Sequence, residues 1–200
     1  MSRILQEIKK YFGIHKRPIY RGGEESIMIG FLLLIPFFLI RFGLLSLLNK
    51  DAVKRASYFA PLSGNEITAY WIYQISNLSI FIYICFLTIR IERSVIFCAG
   101  LFFYITGLIL CAVSIVNFAK PSIDGLNCNG LYRVSRNPMY VSYFICFAGC
   151  ALLTQSLLLF GIVLIFQISS HWIILSEEKW CMEAFGEEYR QYMKKVRRYI

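Results

Sequence analysis

Charge is scarce in this sequence, and the places where it is missing exclude more than the overall shortage does. Of the 200 residues only 16% are charged against 58% hydrophobic, and mean hydropathy is +0.58. That balance lies outside an ordinary soluble domain, so the apolar residues must face lipid. Residues 67–89, 94–119 and 139–176 contain no Lys, Arg, Asp or Glu, and residues 27–48 contain one, Arg41. A bilayer core of roughly 30 Å takes about 20 apolar helical residues, so each of the three shorter runs reads as one span. The last run, 38 residues long, would extend about 57 Å as a single helix. Thr154, Gln155 and Ser156 divide it, which predicts a tight helical hairpin. The expected fold is all-α: a single integral membrane domain over 1–200, about five spanning helices with the fourth on the short side, and a C-terminal amphipathic helix.

Other shortages narrow the chemistry. There are two histidines, and the seven cysteines form no CxxC pair and have no His at ligand spacing, so zinc, haem, any other metal centre and a disulfide frame are not expected. Most of the cysteines lie inside apolar runs, where they read as small hydrophobes in helix packing. Residues 1–26 lack a continuous apolar core and read as a basic interfacial arm, not a signal peptide. The net charge of +9 is expected to meet anionic lipid headgroups; nucleic acid is not an expected partner. With all five helices crossing, one side of the membrane carries twelve Lys and Arg against eight on the other. If residues 27–48 instead turn back at Pro36 and Arg41, the split becomes eighteen to two. Either way the 120–138 loop and the C-terminal tail are expected in the cytoplasm. The sequence leaves oligomeric state open.

Polar groups are costly beside a bilayer, so their clusters are where function concentrates. One is KPSIDGLNCNGLYRVSRNPMY, residues 120–140; the other begins at Ser176 with SEEKWCMEAFGEEYRQYMKKVRRYI. In the first, Gly125 and Gly130 permit close approach or positive φ, Asp124, Asn127 and Asn129 favour turns, and Pro138 starts the next helix. In the second, Glu177 and Glu178 stand at a span boundary, and Phe185, Tyr189, Tyr192, Met193 and Val196 recur at helical spacing, which reads as an interfacial helix. The hairpin brings the two clusters together on one side. Loop N–H groups, Asn side chains and Arg136 can hold a carboxylate, and Glu177 or Glu178 can face an ammonium or sulfonium. Tyr132 and Tyr140 can pack on a heterocycle or a cation. S-adenosylmethionine answers that description.

The order GLYRVSRNPMY, helical hairpin, EE, FGEEYRQYMKKV resembles the isoprenylcysteine carboxyl methyltransferase and phospholipid methyltransferase group of integral membrane enzymes, over roughly residues 120–200. The family loop G-x-Y-x-x-x-R-H-P-x-Y corresponds to Gly130, Tyr132, Arg136, Asn137, Pro138 and Tyr140. The resemblance implies a membrane methyltransferase whose S-adenosylmethionine is held by Asn117, Asp124, Gly125, Leu126, Asn127, Tyr132, Asn137, Pro138, Met139, Tyr140 and Glu177. Arg136, Tyr140 and Glu178 are the candidate catalytic residues, Glu178 or Tyr140 serving as base if the acceptor is an amine. The implied acceptor is a lipophilic molecule reached through the membrane lipids, bearing a carboxylate or an amine. The sequence departs from the pattern twice. Asn137 replaces the family histidine and cannot titrate near neutral pH. Ile173 stands where the prenylcysteine enzymes carry an arginine for the substrate carboxylate, with His171 nearby but out of register. Two other readings stay open: an NADPH-dependent membrane reductase of related architecture, although Val141, Ser142 and Tyr143 do not reproduce its signature, and a non-enzymatic membrane protein.

Overall fold

The computed structural model describes residues 28–57, 60–62, 64–91, 94–120 and 125–199; the basic arm 1–26 and Asp124 lie outside the described residues. Among the described residues six helices follow one another: α1 (Phe31–Leu48), α2 (Lys50–Ser57), α3 (Asn65–Phe86), α4 (Val95–Phe118), α5 (Pro138–Leu153) and α6 (Leu157–Lys195). A two-residue antiparallel pair, β1 (Met28–Ile29) with β2 (Thr88–Ile89), joins the start of α1 to the end of α3. The fold is all-α apart from this pair, as expected.

α1 does not turn back. It continues through Pro36 and Arg41 for 18 residues, about 27 Å, and widens into a π-turn over Leu39–Leu44 just after the proline has removed a backbone donor. By length and composition α1, α3, α4 and α6 can cross a membrane, while α5, with 16 residues or about 24 Å, is the short one. The chain is thus a multi-pass membrane protein, and Leu39, Phe42, Trp71, Phe102, Ile109 and Ile168 are among the large apolar side chains exposed on its outer surface.

The break between α5 and α6 falls at Thr154–Ser156. Gln155 takes φ 49°, and Ser156 Oγ accepts from the Leu159 N–H at 3.2 Å, capping α6. The connection is tight, yet these two helices are not each other's main neighbours: α5 packs most extensively on α4, and α6 on α3. Glycine explains the first pairing. A Cβ on Gly107 would collide with the Cys146 backbone, and one on Gly149 with that of Tyr104, so α4 and α5 meet at backbone contact. Aromatic stacking accompanies the second, Tyr73 on Phe166 with centroids 4.9 Å apart.

The first 20 residues of α6, 157–176, cross about 30 Å. From Glu177 the helix leaves the span, and at Gly186, φ 54° and ψ −123°, it breaks. The tail then runs back along α6, bringing the Tyr199 hydroxyl 2.7 Å from His171 Nδ1. Of the apolar face read from the sequence in this last segment, Tyr189 and Val196 are buried, while Phe185, Tyr192 and Met193 are half-buried. One end of the bundle therefore gathers the end of α1, α2, the end of α4, the 125–137 loop and Glu177. The opposite end holds β1, β2 and the α5–α6 turn, where the Arg90 N–H donates to the Leu153 carbonyl at 3.0 Å.

Candidate active site

The loop before α5 is built by two glycines and one asparagine. Gly125 (φ 86°) and Gly130 (φ 57°) occupy the left-handed region that side chains disfavour. Gly130 lies against the Asn117 side chain with no room for a Cβ, and Asn117 Oδ1 accepts from the Leu131 N–H at 2.9 Å. This contact pins the 3₁₀ turn Gly130–Arg133 to the end of α4 and turns Tyr132 inward, where it is buried. The Tyr192 hydroxyl closes the turn from the other side, donating to the Tyr132 carbonyl at 2.6 Å. Farther on, the tail is laced to the loop. The Arg136 N–H donates to the Arg197 carbonyl at 3.0 Å, and Asn137 Nδ2 donates to the Arg198 carbonyl at 3.1 Å. Pro138 then opens α5 at a position where its missing N–H costs nothing.

The two glutamates are held differently. Glu177 Oε1 accepts from the Tyr140 hydroxyl at 2.9 Å and has no cationic partner among the described residues. Burial pushes its carboxyl up to about 7; the Tyr140 hydrogen bond opposes that shift and the neighbouring Glu178 charge adds to it. Glu178 has both oxygens occupied. Arg136 Nη2 meets Oε1 at 3.1 Å with the two side chains 8% and 6% exposed, and Arg198 grips the carboxylate in a fork, its Nη2 2.8 Å from Oε2. Both oxygens of Glu178 are therefore engaged by guanidinium donors.

Between these elements lies a cavity of about 710 Å³. Of the residues singled out from the sequence it is lined by Gly125, Leu126, Asn127, Tyr132, Arg136, Asn137, Met139, Tyr140, Glu177 and Glu178. Asn117 and Pro138 stand behind the lining and shape the loop. Asn127 Oδ1 and Arg136 Nε are buried without a partner among the described residues, an acceptor and a donor left open on two residues of the cavity that Glu177 also lines. Trp180, Phe185, Tyr189 and Tyr192 add aromatic wall. Cys181 also lines the cavity, but burial pushes its thiol up to about 12, so it is no thiolate nucleophile at neutral pH.

Sequence reasoning missed the other wall. Arg41, Lys54, Arg55, Tyr73 and Tyr143 line the cavity as well. α2 lies across it because Asn49 does two things: its Oδ1 accepts from the Asp51 and Ala52 N–H groups, capping α2, while its Nδ2 donates to the Ala119 carbonyl at 3.2 Å. Arg55 completes the roof, its guanidinium 5.4 Å from the Phe118 ring. The available signal was Arg41, the one charge within an apolar run. Ile173 is buried at 1% exposure and contributes no charge.

An amphoteric, aromatic, cationic molecule fits this donor set: an acid free of cationic partners, an open guanidinium N–H, an open amide oxygen and a ring of aromatic side chains. Comparison with known proteins agrees. Residues 116–188 match the phospholipid methyltransferase family. Methanethiol S-methyltransferase of Pseudomonas deceptionensis is 26% identical, the alignment covering 72% of this chain and 58% of that protein. This chain therefore spans little more than half the length of the curated relative. No solved structure matches. The match falls on the loop, the hairpin and the paired glutamates that enclose the cavity, so this part of the chain is similar to the phospholipid methyltransferase family, whose methyltransferases use S-adenosylmethionine.

Proposed function

We propose that the protein transfers a methyl group from S-adenosylmethionine to a lipophilic, membrane-embedded acceptor, with the cofactor entering from the cytoplasm. The observation that carries this reading is Glu177, a cavity-lining acid bonded to Tyr140 and unpaired with any described cation, in a cavity also lined by Asn127 and Arg136, whose Oδ1 and Nε are open. Glu177 and Asn127 suit the ammonium of the cofactor, Arg136 its carboxylate, and Tyr132, Trp180, Phe185 and Tyr192 its heterocycle. When bound, S-adenosylmethionine supplies an electrophilic methyl on sulfur. The chain's task is then alignment and exclusion of water. Tyr140 fixes the Glu177 carboxylate, and Glu178 acts as a positioning residue that holds Arg136 through their ion pair while Arg198 fastens the tail over both. Asn117, Gly130 and Pro138 set the loop.

Thermal-shift comparison on purified protein separates this reading from a reductase or a non-enzymatic protein. S-adenosylhomocysteine should raise the melting temperature in a concentration-dependent way and NADPH should leave it unchanged. Stabilisation by NADPH, or by neither, would overturn it.

A further inference from the structure

We infer that Arg41, carried into the cavity by the π-turn of α1, binds an anionic group on the methyl acceptor and so sets acceptor specificity. This assignment builds on the methyl-transfer reading and extends it to the other end of the cavity. A charge within a span faces a bundle interior or a wet cavity when it is not reaching for the headgroups. Arg41 has exposed apolar neighbours on the lipid side, Leu39 at 65% and Phe42 at 58%, yet its own side chain lines the cavity. The widened turn Leu39–Leu44 shifts the helical register at this residue, a device that recurs at functional sites.

Arg41 is held in place while most of its donors stay open. Nη2 donates to the Ala56 carbonyl at 3.3 Å, tying it to the end of α2. The guanidinium carbon sits 5.7 Å from the Tyr143 ring centroid and 5.8 Å from that of Phe42. No carboxylate pairs with it among the described residues, and a guanidinium has five donors. A partly buried cation in an aromatic cradle, with no carboxylate partner among the described residues, is a ready site for a carboxylate or a phosphate.

The cavity is thus polar at both ends. The Tyr140 hydroxyl binds Glu177, the Tyr140 ring lies 6.5 Å from Tyr143, and Tyr143 carries Arg41. Two tyrosine rings separate the acid pole from the cationic one, where Arg55 of α2 also lines the cavity. An amphiphile whose anion rests at Arg41 has its remaining head atoms directed along the tyrosines toward Glu177. A neutral head leaves the guanidinium without a counter-charge.

The test uses the full chain in neutral detergent and four chain-matched probes: dodecanoate, dodecyl phosphate, dodecylammonium and dodecanol. Wild type should bind one or both anions roughly tenfold more tightly than dodecanol or dodecylammonium. Arg41→Gln should erase that preference while keeping S-adenosylhomocysteine affinity within about twofold, because the cofactor end is separate. Should that variant fail to fold, Arg41→Lys decides, since it keeps the charge without the planar fork: a loss of preference of roughly threefold or more supports the assignment. Whichever anion binds more tightly tells a carboxylate acceptor from a phosphate-bearing one. Equal binding of all four probes by wild type overturns the inference. So does a preference that survives Arg41→Gln or Arg41→Lys undiminished and disappears in Lys54→Gln/Arg55→Gln. Failure of S-adenosylhomocysteine to bind wild type contradicts the cofactor reading instead, and the anion preference is read independently of it.

Discussion

At Glu177 two demands act on one carboxyl. Burial favours its neutral form, whereas a cationic ligand needs the anion, and the ordinary value of 4.5 is raised to about 7 as a result. In the ligand-free protein the folded value lies above the unfolded one, so the neutral acid's contribution to stability is fully present below about pH 4.5 and is lost as pH rises through about 7. Ligand affinity runs the other way. Binding of S-adenosylhomocysteine, followed by calorimetry, should tighten by up to about tenfold per pH unit below 7 and level off above it, and Glu177→Gln should flatten that profile. Glu178 behaves differently because its charge is already matched by Arg136 and Arg198. Glu178→Gln should keep binding pH-dependent but move its profile to lower pH, because the Glu178 charge helps raise Glu177, and destabilise the fold by about 3 kcal/mol, the scale for removing one partner of a buried ion pair. The pairing of these glutamates with the 125–140 loop could be read from residue order. Their division of labour could not, because the arginine that forks Glu178, Arg198, sits in a tail that doubles back at Gly186.

Among the elements, α4 and α5 show how small residues substitute for a hydrophobic driving force. Inside lipid, apolar side chains gain little from one another, and close backbone approach supplies the packing. Gly107 and Gly149 make that approach possible, whereas Gly161 on α6 has open space where a side chain would go. Gly107→Ala should therefore lower stability by about 1–3 kcal/mol, while Gly161→Ala should be neutral or raise it by up to about 1 kcal/mol through helix propensity. Thermal melts of the two variants in the same detergent check the contrast. The spans themselves were readable because an uncharged run of sufficient length has few alternatives to crossing a membrane. Which helix faces which was not readable. α5 follows α4 and precedes α6 in sequence, both junctions look alike on paper, and only the glycine register on α4 and α5 distinguishes them. The burial of Tyr189 and Val196 was not readable for a related reason, since an amphipathic helix presents the same periodicity to a lipid surface and to a cavity.

At the scale of the whole molecule, the cavity draws on all six helices and the loop before α5. The half assigned to the cofactor is local in sequence, within 125–192, and overlaps the stretch similar to the phospholipid methyltransferase family. The half assigned to the acceptor comes from Arg41, α2, Tyr73 and Tyr143, brought together by the bundle. Only Arg41 gave a sequence signal for that half, as a lone charge in an apolar run. The proposed cytoplasmic entry of the cofactor makes sidedness testable. In a background with the native cysteines replaced, Arg133→Cys on the cavity side should react with a membrane-impermeant maleimide only after cells are opened, and Gln155→Cys at the far turn should react in intact cells; the reverse pattern would invert the orientation. The central claim, that the cavity between the Tyr132 turn and Glu177 holds S-adenosylmethionine, is tested most directly by calorimetric titration of S-adenosylhomocysteine into wild type and Glu177→Gln at about pH 8, above the Glu177 titration. The account predicts one-to-one binding to wild type and at least tenfold weaker binding to the variant, roughly the scale of a charge-assisted hydrogen bond. Equal affinity for the two proteins would contradict it.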